Sequence, residues 1–119
     1  MPEEDKRQSQ LWQVLDALRD ELGRELGDEL SLLILYGSHA RGEARDDSDV
    51  DILVVLRQVS EALNRKVHDI TYRLMQESDF AYFLSLRLMD SQHYSLLEQK
   101  ESSFLNNIKR EGKVLWPAM

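Results

Sequence analysis

The chain is 119 residues long, carries a formal net charge of −7 and contains no cysteine. Its length suits one domain with a modest core, and the lack of cysteine excludes disulfides and thiolate metal sites. The acidic charge argues against broad, direct binding of nucleic acid. No apolar run is long enough to cross a membrane, and an acidic N-terminus is unlike a secretory signal. We therefore expect a cytoplasmic protein that folds as a single domain over residues 1–119, with residues 1–8 disordered.

The first half of the chain predicts one helix, then two strands joined by a turn. From Ser9 onward, leucine and valine recur at the spacing of an amphipathic helix, which Gly23 or Gly27 would end. Residues 31–36 are a short apolar run typical of a buried strand, and residues 38–41 follow as a short helix. A polar loop then leads into a second apolar strand over residues 49–56.

The second half predicts a helix, a third strand, two short helices and an extended end. Ser60 can cap the first of these helices, and residues 77–79 would break it. Residues 80–88 are aromatic and aliphatic, as in a strand. Short helices are expected over 91–98, capped by Ser91, and over about 102–110, ended by Gly112, before an extended piece at 114–116. The order predicts a small α/β domain with a mixed sheet covered by helices.

Two aspartates at the start of the second strand are the first candidate site residues. Asp49 and Asp51 are separated by one residue, so their side chains project from the same face of the strand. Two adjacent carboxylates repel each other unless a cation lies between them, and hard oxygen ligands suit Mg²⁺. Taken alone, the pair could equally cap turn amides. With the turn that precedes it, the pair predicts a Mg²⁺ site.

The turn before the aspartates adds candidate phosphate ligands. Gly37 follows a strand directly and has no side chain, so a phosphate could approach its backbone. Ser38 offers a hydroxyl at a helix N-terminus, a position favourable for an anion. Arg41 could reach a phosphate or pair with a loop carboxylate. Ser48 is a further candidate for nucleotide binding and could orient the aspartates. With Asp49 and Asp51, these residues predict metal-assisted attack on the phosphate of a nucleotide.

The same residues resemble a known signature. Gly-Ser-His-Ala-Arg-Gly at 37–42 and Ser-Asp-Val-Asp-Ile at 48–52 are similar to the motif of the minimal nucleotidyltransferases, small members of the polymerase-β-like nucleotidyltransferase superfamily. The resemblance implies that superfamily's fold, a Gly-Ser turn that binds the triphosphate of ATP, two aspartates that bind Mg²⁺, and a third carboxylate on the next strand. That carboxylate can assist deprotonation of the acceptor. In this chain we expect Ser85 at its place.

The resemblance also implies a partner. Minimal nucleotidyltransferases of this type are commonly paired with a small helical HEPN protein, as antitoxin and toxin, and transfer AMP from ATP to a tyrosine of the HEPN ribonuclease, which silences it. Because Ser85 cannot bind Mg²⁺ as a carboxylate does, the alternative is a weak or inactive enzyme that neutralises its partner by binding. A small-molecule acceptor ranks lower, since one small domain lacks a second substrate-binding domain. Acceptor recognition would come from the partner or from self-association.

Overall fold

The structure is a computed structural model that describes residues 3–45 and 48–117. Within these ranges five α-helices and four strands follow one another along the chain. The helices are α1 Glu3–Leu26, α2 Ser38–Arg41, α3 Glu61–Glu77, α4 Ser91–Gln99 and α5 Ser103–Glu111. The strands are β1 Leu30–Tyr36, β2 Val50–Leu56, β3 Leu84–Asp90 and β4 Lys113–Trp116. A 3₁₀ turn, Gly27–Glu29, joins α1 to β1.

The four strands form one mixed sheet in the order β3-β2-β1-β4. The central strands β1 and β2 run antiparallel, β4 lies antiparallel to β1, and β3 lies parallel to β2 after the crossover through α3. A parallel pair needs such a crossover, because a tight turn can only reverse the chain direction. The prediction of a small α/β domain with a mixed sheet covered by helices is confirmed.

Helices cover both faces of the sheet, because alternate residues of each strand point to opposite sides. The larger hydrophobic cluster joins one face of the sheet to α1 and α3, and includes Leu15, Leu18, Leu22, Leu33, Leu35, Val50, Ile52, Val54, Val67 and Leu74. The smaller cluster joins the other face to α4 and α5, and includes Ile34, Leu53, Val55, Met89, Leu105 and Ile108. The second face is the one that carries the candidate site.

The first helix is longer than predicted. Helix α1 begins at Glu3 rather than Ser9, so it includes residues 3–8, while Met1 and Pro2 lie outside the described residues. It ends at Leu26, and Gly27 follows at a φ of 55°, as the prediction of a glycine stop requires. No helix in the described residues is long and apolar enough to span a bilayer.

Strand β3 is shifted along the chain relative to its prediction. It begins at Leu84 rather than Phe80, and it continues to Asp90 rather than ending at Leu88. Asp79 and Phe80 have φ values of 54° and 56°, a left-handed conformation that a strand cannot contain. The turn that they form therefore delays the strand.

Several other boundaries differ by one residue, and the predicted cap at Ser60 is confirmed. Strand β2 begins at Val50, so Asp49 lies just before it. Helix α4 is capped by Asp90, whose carboxylate accepts a hydrogen bond from the His93 N–H at 2.7 Å, rather than by Ser91. Ser60 and Ser102 cap α3 and α5 through their hydroxyls.

Candidate active site

Three neighbouring strands place one residue each in a single row on the face that α4 and α5 partly cover. Tyr36 of β1 pairs with Asp51 of β2, and Asp51 pairs with Ser85 of β3. Paired residues of adjacent strands point to the same face, so these three side chains stand side by side. The register therefore places Ser85 beside Asp51, as expected.

The glycine of the Gly-Ser turn lies against the carboxylate of Asp51. Gly37 has φ 77° and ψ −157°, a combination that is essentially restricted to glycine. A Cβ atom added there would lie 2.3 Å from Oδ2 of Asp51. The turn and the aspartate thus form one continuous surface, and both conformation and space require a glycine at this position.

Helix α2 ties this turn to the loop that carries the aspartates. The N–H groups of Ala40 and Arg41 both donate to the Gly37 carbonyl at 3.1 Å. Nε2 of His39 lies 3.2 Å from the carbonyl oxygen of Ser48, the residue directly before Asp49. No role in the site was expected for His39 from the sequence. The structure makes it a link between the turn and the aspartate loop.

Ser48 uses its hydroxyl within its own loop. Its Oγ accepts a hydrogen bond from the Arg45 N–H at 2.8 Å, and its N–H donates to the Arg45 carbonyl at 3.0 Å. These bonds close the loop around residues 46 and 47, which lie outside the described residues. This arrangement fits the predicted part of Ser48 in orienting the aspartates, and its contact with a nucleotide stays a prediction.

Arg41 is paired with two carboxylates. Its Nε lies 3.5 Å from Glu43, and its NH1 lies 3.4 Å from Glu111 at the end of α5. Of the two alternatives for Arg41, pairing with a loop carboxylate is the one that these distances show. Exposed pairs of this kind contribute at most about 1 kcal/mol, so a phosphate could displace the carboxylates.

The electrostatics of the row favour a cation. Burial raises the pKa of the Asp51 carboxyl, and the neighbouring charge of Asp49 raises it further, while His39 and Arg41 partly offset both effects. Asp49 is exposed and Asp51 partly buried, so both carboxylates are accessible from the same side. A divalent cation between them would relieve the repulsion.

The donor set suits Mg²⁺ bound together with a nucleotide. Mg²⁺ is commonly held by one or two carboxylates plus substrate phosphates and water, and Asp49 and Asp51 supply such a pair of oxygen ligands. Within residues 3–45 and 48–117, no three His, Cys, Asp or Glu side chains gather in a group that could hold a metal. Ser85 explains this, because it occupies the third position of the row.

Tyr36 of the row and two side chains beside it, Phe104 and Arg87, were not predicted as parts of the site. The ring of Tyr36 meets the ring of Phe104 edge to face at 5.8 Å, and the guanidinium of Arg87 lies 4.3 Å from the centre of the same ring. Burial and the charge of Asp51 raise the pKa of the Tyr36 hydroxyl, and Arg87 opposes them. Since Arg87 follows Ser85 by two residues, strand alternation could have placed it on this face.

The stability of the metal-free protein should depend on pH through Asp51. Because its pKa is raised on folding, Asp51 favours the folded state below its unfolded pKa, and this contribution is lost as the pH rises through the folded pKa. Asp51→Asn never ionises, so we expect its stability relative to wild type to increase from about pH 3 to pH 7. Urea unfolding of both proteins in chelator at several pH values measures this difference, and a constant difference would contradict the assigned shift.

Comparison with known proteins gives one family match over nearly the whole chain. A family model described as polymerase beta, nucleotidyltransferase matches residues 7–118. Two proteins of Methanocaldococcus jannaschii, both named putative protein adenylyltransferase, are 41% identical over 46 residues and 32% identical over 47 residues. These segments cover 39% and 40% of this chain but only 31% and 48% of the relatives' lengths.

Two solved structures share the fold. A putative nucleotidyltransferase from Sulfolobus solfataricus aligns with a TM-score of 0.57 at 18% identity, over 93% of this chain and 84% of that one. A chain of a toxin-antitoxin complex solved with AMP-PNP aligns with a TM-score of 0.52 at 22% identity, over 87% and 74% of the two chains. At these identities the likeness concerns the fold, and the predicted nucleotidyltransferase fold is confirmed.

Proposed function

We propose, from the premise that the chain belongs to the polymerase beta nucleotidyltransferase family, that it transfers AMP from ATP to a hydroxyl of a partner protein. The observation that carries the proposal is the contact between Gly37 and the carboxylate of Asp51. It joins a turn suited to phosphates and a pair of carboxylates suited to Mg²⁺ in one surface. Neither part alone would specify nucleotide chemistry.

The reaction is a substitution at the α-phosphorus of ATP. The acceptor oxygen forms a bond to that phosphorus, the bond from it to the β-phosphate oxygen breaks, and pyrophosphate leaves. Asp49 and Asp51 would hold Mg²⁺, which, when bound, neutralises charge on the reacting phosphates. The backbone of Gly37 and the hydroxyl of Ser38 would hold the leaving phosphates. The acceptor's proton passes to water, because Ser85 cannot accept it near neutral pH.

A tyrosine of a helical HEPN toxin is the acceptor that we propose, which makes this chain an antitoxin. The motif at residues 37–52 resembles that of minimal nucleotidyltransferases, one structural relative is a chain of a toxin-antitoxin complex, and the curated relatives are named for adenylylation of proteins. This chain would bind such a toxin in the cytoplasm.

Ser85 supports a second candidate function, an antitoxin that acts by binding alone. The two candidates predict different behaviour for the double variant Asp49→Asn, Asp51→Asn, tested by co-expression with the proposed HEPN toxin. If AMP transfer silences the toxin, the double variant should still form the complex but should no longer protect cells. Full protection by the double variant would contradict the transferase function and support an antitoxin that acts by binding alone.

Restoring a third carboxylate should strengthen metal binding. Ser85 pairs with Asp51 in the parallel register, so Ser85→Asp places a carboxylate next to the existing pair. We expect the affinity for Mg²⁺ to rise on the order of tenfold, because affinity follows ligand charge, and the metal-free protein to lose stability through like-charge repulsion. Calorimetric titration with Mg²⁺ measures the first effect, with Ser85→Asn as the uncharged control. Equal affinities in the two variants would show that the row is not the metal site.

A further inference from the structure

Three exposed aromatic side chains lie at the β3 edge of the sheet. Tyr72 is 54% exposed, Phe80 53% and Phe83 60%, and they are half of the six large hydrophobic residues that are exposed in the described part of the chain. The rings of Tyr72 and Phe80 meet at 5.9 Å. Phe80 and Phe83 are three residues apart, which limits the distance between their Cα atoms to about 10 Å. We call these three residues the aromatic edge.

One end of the aromatic edge adjoins the candidate active site. The carbonyl of Phe83 accepts a hydrogen bond from the Val50 N–H at 2.8 Å, directly between the two aspartates of the motif. The first pair of the parallel register is Val50 with Leu84. One further pair would bring Asp49 beside Phe83. Phe83 directly precedes β3, so the aromatic edge begins next to the aspartate pair.

The exposure of Phe80 is built into the turn between α3 and β3. Asp79 and Phe80 both adopt the left-handed conformation, which costs a residue with a side chain roughly 1–2 kcal/mol. The Phe80 N–H donates to the Met75 carbonyl at 2.8 Å, and the Ala81 N–H donates to the Ser78 carbonyl at 3.0 Å, so the turn is held by main-chain bonds. Strain of this kind persists where the surrounding structure fixes it, often at functional sites.

Acidic side chains flank the aromatic edge. Asp79 is exposed beside it, as is Asp49 when no Mg²⁺ is bound, and the chain as a whole carries a net charge of −7. Arg73 follows Tyr72 and is basic, but it forms ion pairs with Glu77 at 2.9 Å and with Glu21. The surface is therefore complementary to an apolar side chain flanked by lysine or arginine. Such a segment would be steered to the edge by charge and held there by burial of aromatic area.

We propose that the aromatic edge docks the acceptor protein and guides its hydroxyl to the aspartates. The inference rests on the proposed function and deepens it, because it identifies where the partner binds and which chemistry the bound segment carries: an apolar residue with basic neighbours. Phe83 lies closest to the aspartates and Tyr72 furthest, so the partner segment would run along the edge toward Asp49. Aromatic anchors commonly dominate the binding energy of such interfaces.

The test compares the double variant Phe80→Ser, Phe83→Ser with Val114→Ser. Val114 is 57% exposed but lies on β4, at the opposite edge of the sheet, so it controls for the loss of an exposed apolar side chain. Calorimetry would measure binding of the proposed HEPN partner, without ATP, and binding of Mg²⁺ with AMP-PNP. We expect the double variant to weaken partner binding by at least about tenfold, with Val114→Ser and nucleotide binding unchanged.

Three results would overturn the docking surface. One is partner binding that is absent in wild type or unchanged in the double variant. Another is weaker binding of AMP-PNP with unchanged partner binding, which would make Phe83 a nucleotide contact. The last is a change from dimer to monomer on sedimentation, which would make the edge a self-association surface. AMP transfer measured in the same samples tests the proposed function separately, since a partner can bind at the edge without receiving AMP.

Discussion

Asp51→Asn is expected to reduce AMP transfer by at least about a hundredfold, because it removes one of the two carboxylates that would hold Mg²⁺. Asparagine keeps the shape of the side chain that packs against Gly37, so the fold should be retained. The rate of transfer from labelled ATP to the HEPN protein, at saturating ATP and Mg²⁺, measures the effect.

The control for this prediction is Asp28→Asn. Asp28 is an exposed acid in the 3₁₀ turn before β1, away from the row that contains Asp51, and its substitution removes the same charge from the chain. We expect its transfer rate to remain within about twofold of wild type, since exposed charges far from a site have small effects. A rate for Asp51→Asn that equals the rate for Asp28→Asn would remove Asp51 from the catalytic site.

Gly37→Ala is expected to lower the free energy of unfolding by about 3 kcal/mol or more. The backbone at Gly37 lies in a region that costs other residues about 1–3 kcal/mol, and the new Cβ would collide with the Asp51 carboxylate. Any folded fraction must move Asp51 aside, so binding of Mg²⁺ with AMP-PNP should also be lost. Chemical denaturation and calorimetry measure the two effects.

Gly27→Ala separates backbone conformation from the collision. Gly27 has a φ of 55°, but a Cβ there would have no atom within 4 Å among the described residues. We expect a loss of roughly 1–2 kcal/mol and unchanged nucleotide binding. If Gly37→Ala destabilised the protein no more than Gly27→Ala and still bound AMP-PNP, then the close approach of the turn to Asp51 would be required neither for stability nor for nucleotide binding.

Most of the fold could be predicted from the sequence, because the apolar residues of its strands and helices recur at regular spacing. The buried strands β1 and β2 are short apolar runs, and Ser60 marks the start of α3 at the predicted residue. The start of β3 could not be predicted, because the aromatic residues within 80–83 are of a type common in strands. Their conformation is decided by main-chain hydrogen bonds to the end of α3, which residue type does not reveal.

The central part of the candidate site could also be predicted, but its surroundings could not. Gly37, Asp49 and Asp51 belong to one short motif, so their proximity could be inferred from the sequence. Arg87 reaches the site through the pairing of β3 with β2, and Glu111 reaches Arg41 from the end of α5, 70 residues along the chain. Contacts of this kind depend on register and helix packing, which a single sequence specifies only through the complete fold.

AMP transfer is measured most directly by the intact mass of the proposed HEPN partner after incubation with this chain, ATP and Mg²⁺. We expect a gain equal to one or more AMP groups, and no gain when the double variant Asp49→Asn, Asp51→Asn replaces wild type. An unchanged mass in a stable complex with wild type would contradict AMP transfer. The row that ends at Ser85 would then belong to an antitoxin that acts by binding alone.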